Sequence, residues 1–368
     1  MSKLTYYSLD EILKKDAHYN IIIGERSNGK TTAVLRYALK HYCETGMKSA
    51  YIRRFEEDIK GGRGENVFSN MIALGYLEEF TGGRWTNIIY KSRAWWLACP
   101  DPDVSGRWIT EEQPFCYAFA LTKQESYKSN SFPTIDTVIF EEFLTRAATG
   151  YLAEEFIIYM NLLSTIIRER DNVKIFMLGN TVNKYAPYFS EMGLNHIKDM
   201  KKGTIDVYSY GDSKLKVAVE FSDFPNKDGK PSDLYFAFDN PRLNMITGRG
   251  QVWEMAIYPH LPAKYKPKEI VFTYFIIFDG ETLQCEVIDL ESGVFTFIHR
   301  KTTPIKEEDT DLVFSPEQSE KPNFRKRLTA PPDKLGQKIL WFYKHDKVFY
   351  QNNEVGEIVR NYLQYCGR

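Results

Sequence analysis

The sequence predicts an α/β fold: a doubly wound parallel sheet built on a P-loop, followed by a smaller, β-rich α+β domain. An apolar run, Tyr19-Asn20-Ile21-Ile22-Ile23, feeds the glycine-bounded loop Gly24-Glu25-Arg26-Ser27-Asn28-Gly29-Lys30-Thr31 and then the helix-forming TAVLRYALKHY. Strand-length apolar runs then alternate with helical patterns, which implies parallel strands joined by right-handed crossovers. From Val271 the pattern changes to strand, tight turn, strand, the signature of an antiparallel meander.

The loop has the strand and helix context that a phosphate-binding P-loop requires. Gly24 and Gly29 let the backbone curl so that successive N–H groups face a phosphate, and the helix beginning near Lys30 adds the positive end of its dipole. Lys30 is placed to neutralise β- and γ-phosphate oxygens, and the Thr31 hydroxyl to ligate Mg²⁺. The expected nucleotide-binding set is Gly24, Glu25, Arg26, Ser27, Asn28, Gly29, Lys30, Thr31 and Thr32.

Composition bounds the rest. At 368 residues the chain has room for two or three domains and a large core. With 48 basic against 49 acidic residues there is no basic coat, so any nucleic-acid contact is a local patch. The five scattered cysteines form no CxxC or zinc spacing and suggest a reducing compartment. The polar start and the lack of a long apolar run predict a soluble, intracellular protein without a membrane partner.

In chain order, Leu4 to Lys15 reads as a short helix or arm, and the P-loop helix stops near Gly46. Ser49 to Arg54 reads as a second buried strand, whose terminal arginines fit either the phosphate site or a surface salt bridge. Gly61-Gly62-Arg63-Gly64 reads as a flexible loop before a helix around Val67 to Phe80. The aromatic segments Asn87 to Tyr90, Ala94 to Cys99 and Phe115 to Leu121 suggest an antiparallel insertion that returns to the main sheet.

Thr137-Val138-Ile139-Phe140-Glu141-Glu142 is an apolar strand ending in two acids, which nucleotide hydrolysis requires beside the first strand. Glu141 is assigned to the metal and Glu142 to the attacking water. Asp is commoner in the metal role; the longer arm of Glu suits contact through a metal-bound water. A helix from about Glu154 to Ile167 ends in Arg168-Glu169-Arg170, and a strand from Val173 closes with Gly179-Asn180. Asn180 is placed to sense a γ-phosphate, though it also fits a plain turn.

These segments together carry a resemblance. GERSNGKT, SAYIRRF, SYKSNSFP before TVIFEEF, TIIRERDNVKIFMLGN and NKYAPYF, in that order, resemble the DNA-packaging ATPases of small phi-29-like tailed phages, which are terminase-like motors. The likeness is good over about residues 19 to 190 and only in outline beyond. It implies ATP and Mg²⁺ as ligands and double-stranded DNA as the translocated substrate. It also implies a homo-oligomeric ring, by resemblance a pentamer, docked on a viral portal and procapsid, with a packaging RNA as a further partner. The implied location is the host cytoplasm and transiently the procapsid portal, not the mature virion. Arg168 matches the family's trans-acting arginine and Lys128 a basic residue at the same subunit boundary. On the residues alone, Arg168 equally fits a helix C-terminal arginine complementing the dipole.

The expected division is an ATPase domain at 1–200, a linker region at 201–250 and a C-terminal domain at 251–368. By resemblance the last is a vestigial, RNase H-like nuclease fold. Two-metal cleavage needs converging carboxylates, for which Asp279, Glu286 and Asp289 are available, although Asp279 sits where a turn-former belongs. Arg325-Lys326-Arg327 fits an RNA, DNA or portal contact or a solvated loop, and Arg54 to Arg63 a DNA-gripping loop. The alternatives left open are a helicase-like ring motor, a silent nucleotide-binding scaffold, and a packaging enzyme with an active nuclease.

Overall fold

The computed structural model describes residues 7–24, 28–146, 150–180, 183–223, 256–261, 264–317 and 319–366. The chain divides into two compact units, one of Met1–Thr145 and Glu154–Tyr235, the other of Arg146–Ala153 and Phe236–Arg368.

In the first unit, near-continuous apolar runs are buried on both faces, as parallel strands covered by helices must be. The central strands lie in the order β6 (Cys116–Ala120), β2 (Lys48–Arg53), β7 (Ile135–Glu141), β8 (Lys174–Asn180), β1 (Tyr19–Gly24), β10 (Lys216–Phe221). Each pairs in parallel with its neighbour. Antiparallel strands close the two edges: β9 (Thr204–Ser209) beyond β10, and β3 (Asn87–Lys91), β4 (Ala94–Pro100) and β5 (Trp108–Thr110) beyond β6. The antiparallel insertion and its return to the main sheet are thus as the aromatic segments indicate.

Two expectations fail here. The acidic strand β7 is not beside β1; β8 lies between them. Residues 204–221, expected within a linker, form β9 and β10, and β10 pairs with β1 from Tyr19↔Val217 to Ile23↔Phe221. The polar run after residue 198 hides β10 because its apolar stretch is only Val217-Ala218-Val219, too short to stand out without the neighbour it completes.

A short helix, α1 (Asp10–Leu13), precedes β1, and α2 (Lys30–Thr45) follows the P-loop. Helix α2 ends at Gly46, whose φ of 74° is the left-handed cap conformation that glycine adopts without strain. The expected helix around Val67 to Phe80 is two short ones, α4 (Ser69–Ala73) and α5 (Tyr76–Thr81), preceded by a third, α3 (Gly62–Asn66). The expected flexible GGRG loop is therefore largely helical. The indole of Trp95 donates to the Gly64 carbonyl at 2.8 Å, and Tyr90 packs so closely on Gly64 that a Cβ there would overlap it. Helix α6 (Glu155–Ile167) connects β7 to β8, and α7 (Pro187–Glu191) follows β8.

The second unit holds a sheet in the order β15 (Phe324–Arg325), β14 (Val313–Phe314), β11 (Ile270–Phe278), β12 (Glu281–Leu290), β13 (Gly293–Arg300), β16 (Val348–Tyr350). Among its described residues the helices are α8 (Lys334–Lys344) and α9 (Asn353–Cys366). The meander β11–β12–β13 is antiparallel and turns at Asp279-Gly280, where Asp279 has φ 53°. The three nuclease candidates do not converge. Asp279 forms that turn, and Glu286 and Asp289, three apart on one strand, face opposite sides. Glu286 is buried and occupied by Tyr265 at 2.5 Å, Gln284 at 2.6 Å and His299 at 3.5 Å. Arg325 pairs with Asp333 at 2.7 Å, a structural use of one residue of the basic cluster. Among the described residues no helix is long and apolar enough to cross a membrane.

Candidate active site

Parallel strands deliver their carboxyl ends to one edge of the sheet, and ligand sites form there, at switch points in strand order. β1 ends at Gly24, β8 at Asn180, β7 at Glu141 and β2 at Arg53. Register places Asn180 directly opposite Gly24, so the sensor candidate stands beside the mouth of the P-loop.

Lys30 is 6% exposed. Its ammonium donates to Asn28 Oδ1 at 3.1 Å, and its backbone N–H meets the same oxygen at 3.3 Å. Gly29, at φ 90°, turns the chain into α2, which glycine does without a Cβ penalty. Glu25, Arg26 and Ser27 lie outside the described residues. Thr32 lies in the first turn of α2.

Thr31 and Glu141, 110 residues apart in sequence, come together: the Thr31 hydroxyl donates to Glu141 Oε1 at 2.6 Å. The buried Tyr51 hydroxyl donates to the other oxygen, Oε2. Burial first, and the Glu141 charge second, push the Tyr51 hydroxyl well above its ordinary pKa, so it stays a neutral donor. A hydroxyl and a carboxylate side by side are hard oxygen donors of the type Mg²⁺ takes. The metal assignment of Thr31 and Glu141 is therefore chemically self-consistent.

Glu142 takes φ 54°, an uncommon left-handed backbone conformation that surrounding contacts must hold. Its side chain is 58% exposed, and its Oε2 meets the Arg53 guanidinium at 2.5 Å. Arg53 also lies 3.6 Å from Glu141 Oε2, so one cation spans both acids.

The adjacent Arg54 is different. It is 7% exposed and forms a two-point ion pair with buried Glu155, at 2.7 and 2.9 Å. Its remaining donors reach the backbone carbonyls of Glu142 at 3.1 Å and Phe143 at 2.8 Å. Tyr188 donates to Glu155 at 2.7 Å. Arg54 thus staples the strained strand end to the start of α6. Gly179 completes the clamp, since a Cβ there would come within 2.9 Å of both Leu144 and Phe143. Arg54→Met strands a buried carboxylate and is expected to cost about 3–5 kcal/mol in denaturant unfolding. A loss below about 1 kcal/mol would assign the pair to the surface class instead.

Arg168 lies elsewhere. It caps the C-terminus of α6 with φ 53°, at the edge where β8 begins. The seven residues of β7 or β8 span about 20 Å. Arg168 is thus at the far end of the sheet from its own P-loop. Its exposed guanidinium makes one hydrogen bond, to the Asn130 carbonyl at 2.9 Å. Lys128, two residues from that carbonyl, is exposed and pairs with Glu125 at 2.7 Å. Arg170 instead donates to the carbonyls of Phe132, Pro133, Ile135, Ile166 and Ile167, a structural staple.

The sequence reading missed Tyr51, Glu155 and Ser222. The pair of arginines at the end of β2 was visible, but not that one spans the acids and the other is a staple.

Comparisons with known proteins bear on the family and the fold. The chain is 25% identical over 297 residues to the DNA packaging protein of Bacillus phage phi29, covering 80% of this chain and 79% of that protein. It is 28% identical over 213 residues to the DNA packaging protein of Bacillus phage B103, covering 58% of each. Its fold matches a chain of the bacteriophage Phi-29 viral genome packaging motor assembly, with a TM-score of 0.55 and 19% identity, across 97% of this chain and 96% of that one. A chain of the Phi-28 gp11 DNA packaging motor matches with a TM-score of 0.54 and 19% identity, across 99% and 98%. The Podovirus DNA encapsidation protein (Gp16) family model matches residues 1–229, which hold the P-loop, the acidic strand end and every strand of the first sheet, and the chain belongs to that family.

Proposed function

We propose that this chain hydrolyses ATP at the Gly24–Thr31 loop and uses the energy to drive double-stranded DNA through a homo-oligomeric ring at a procapsid portal. The observation that carries the reading is the convergence of Lys30, Thr31, Glu141, Glu142 and Asn180 at the carboxyl ends of adjacent strands. Lys30 and the loop amides bind and orient the β- and γ-phosphates, which places most of the catalysis in positioning and charge neutralisation. Thr31 and Glu141 would hold Mg²⁺, which when bound neutralises charge on the phosphate oxygens. Glu142 orients the attacking water, and must leave the Arg53 ion pair to do so. Asn180 reads the γ-phosphate from the strand beside the loop.

Arg168 and Lys128 serve the neighbouring subunit. The observation in favour is their distance along the sheet from their own P-loop, together with their exposure. The related phi29 packaging protein forms part of a packaging motor assembly, and the ring is carried over from that relative.

ATP turnover should rise faster than linearly with protein concentration, increase with double-stranded DNA, and vanish in Lys30→Ala. DNA-independent turnover in a dilute monomer would refute the shared-site ring. Packaging into procapsids, read as DNase-protected DNA, tests the translocation step; procapsids that protect no DNA under turning-over conditions would remove it.

A further inference from the structure

We propose that Ser222, at the end of β10, is a positioning residue for the phosphate-binding lysine, acting through Asn28. The inference rests on the nucleotide-binding reading of the P-loop given above.

Ser222 is 4% exposed. Its hydroxyl donates to the Ile23 carbonyl at 3.0 Å and accepts from Asn28 Nδ2 at 2.9 Å. The first bond commits the hydroxyl proton, so the oxygen faces Asn28 as an acceptor. Only the amide nitrogen of Asn28 can then point at Ser222, which turns Oδ1 toward Lys30. Both the ammonium and the backbone N–H of Lys30 converge on that Oδ1, at 3.1 and 3.3 Å. The Asn28 main chain is held independently, its carbonyl accepting from the Tyr7 N–H at 3.3 Å. Tyr7 in turn donates its hydroxyl to Glu220, two residues before Ser222, at 2.5 Å. Backbone and side chain of Asn28 are thus fixed from two sides.

The same hydroxyl explains the first glycine of the loop. A Cβ on Gly24 would stand 2.1 Å from Ser222 Oγ, so the serine and any side chain at position 24 exclude each other. Without Ser222 the nitrogen end of the Asn28 amide loses the acceptor that fixes it, and Oδ1 is held toward Lys30 by the lysine's own donors alone. The lysine and the turn that carries it then lose their preset geometry, and the entropy of ordering them falls on nucleotide binding.

Calorimetric titration of the full chain with Mg²⁺ and ATPγS tests this on wild type, Ser222→Ala, Asn28→Ala and the double variant. Each single change is expected to weaken binding about 3- to 10-fold, the net worth of one hydrogen bond. The double variant should be no weaker than the weaker single one, because the two residues act in series. Unchanged or tighter binding in Ser222→Ala overturns the proposal, as do losses that multiply in the double variant. A thermal shift in the variants without an affinity change assigns Ser222 to fold stability alone and also overturns it. If wild type binds no ATPγS, or Lys30→Ala binds as wild type does, the nucleotide-site reading itself fails, an outcome separate from these.

Discussion

Arg168→Ala is expected to lower ATP turnover of the assembled protein by about 10³-fold or more, the range for an arginine acting across a subunit boundary. That corresponds to about 4–7 kcal/mol of transition-state stabilisation. The hydrogen bond its guanidinium makes among the described residues, to the Asn130 carbonyl, is on an exposed residue and is worth about 1 kcal/mol of stability. The two roles therefore separate by scale and by observable: turnover collapses while the unfolding midpoint hardly moves. Mixing variant with wild-type subunits should depress activity by more than the variant fraction, because each variant subunit silences a neighbour's site. Activity that falls only in proportion, or a variant that loses stability and keeps its rate per folded molecule, would return Arg168 to a helix cap.

Glu142→Gln is expected to reduce turnover by about 10²- to 10⁴-fold, the usual contribution of a positioned general base. Nucleotide binding should survive, since Lys30, Thr31 and Glu141 keep their contacts and Glu142 takes no part in them. The change removes a charge and keeps the shape, so the Arg54 staple on the Glu142 carbonyl is unaffected. Tight binding with lost turnover is the result that supports the assignment. Turnover within a factor of about two of wild type would move the base role elsewhere, with Glu141 the next carboxylate along the strand.

The family and the candidate nucleotide site were legible because phosphate chemistry constrains residues that are adjacent in sequence. A P-loop needs its glycines, lysine and hydroxyl within one turn of chain, and the acids that complete it must end a strand. Gly24 to Thr31 and Glu141-Glu142 therefore stand out as candidates, and α2 and the meander turns can be read directly. The order of strands is another matter. Whether β7 or β8 lies against β1 depends on which apolar faces pack, and both strands are buried runs of similar composition.

β10 was illegible for the same reason. Its short apolar stretch is a strand only because β1 offers an open edge, so the segment reads as polar linker until the sheet is assembled. The two arginines at the end of β2 show the limit most directly. Adjacent in sequence, they take different partners: Arg53 spans the acids and Arg54 is buried against Glu155. The sequence by itself determined the nucleotide loop, the acidic strand end and the alternation of strands and helices, because those depend on neighbours in the chain. Only the tertiary structure decided which side chains brace that loop and that strand end, because Ser222, Glu155 and Tyr51 act through contacts made across 90 residues or more.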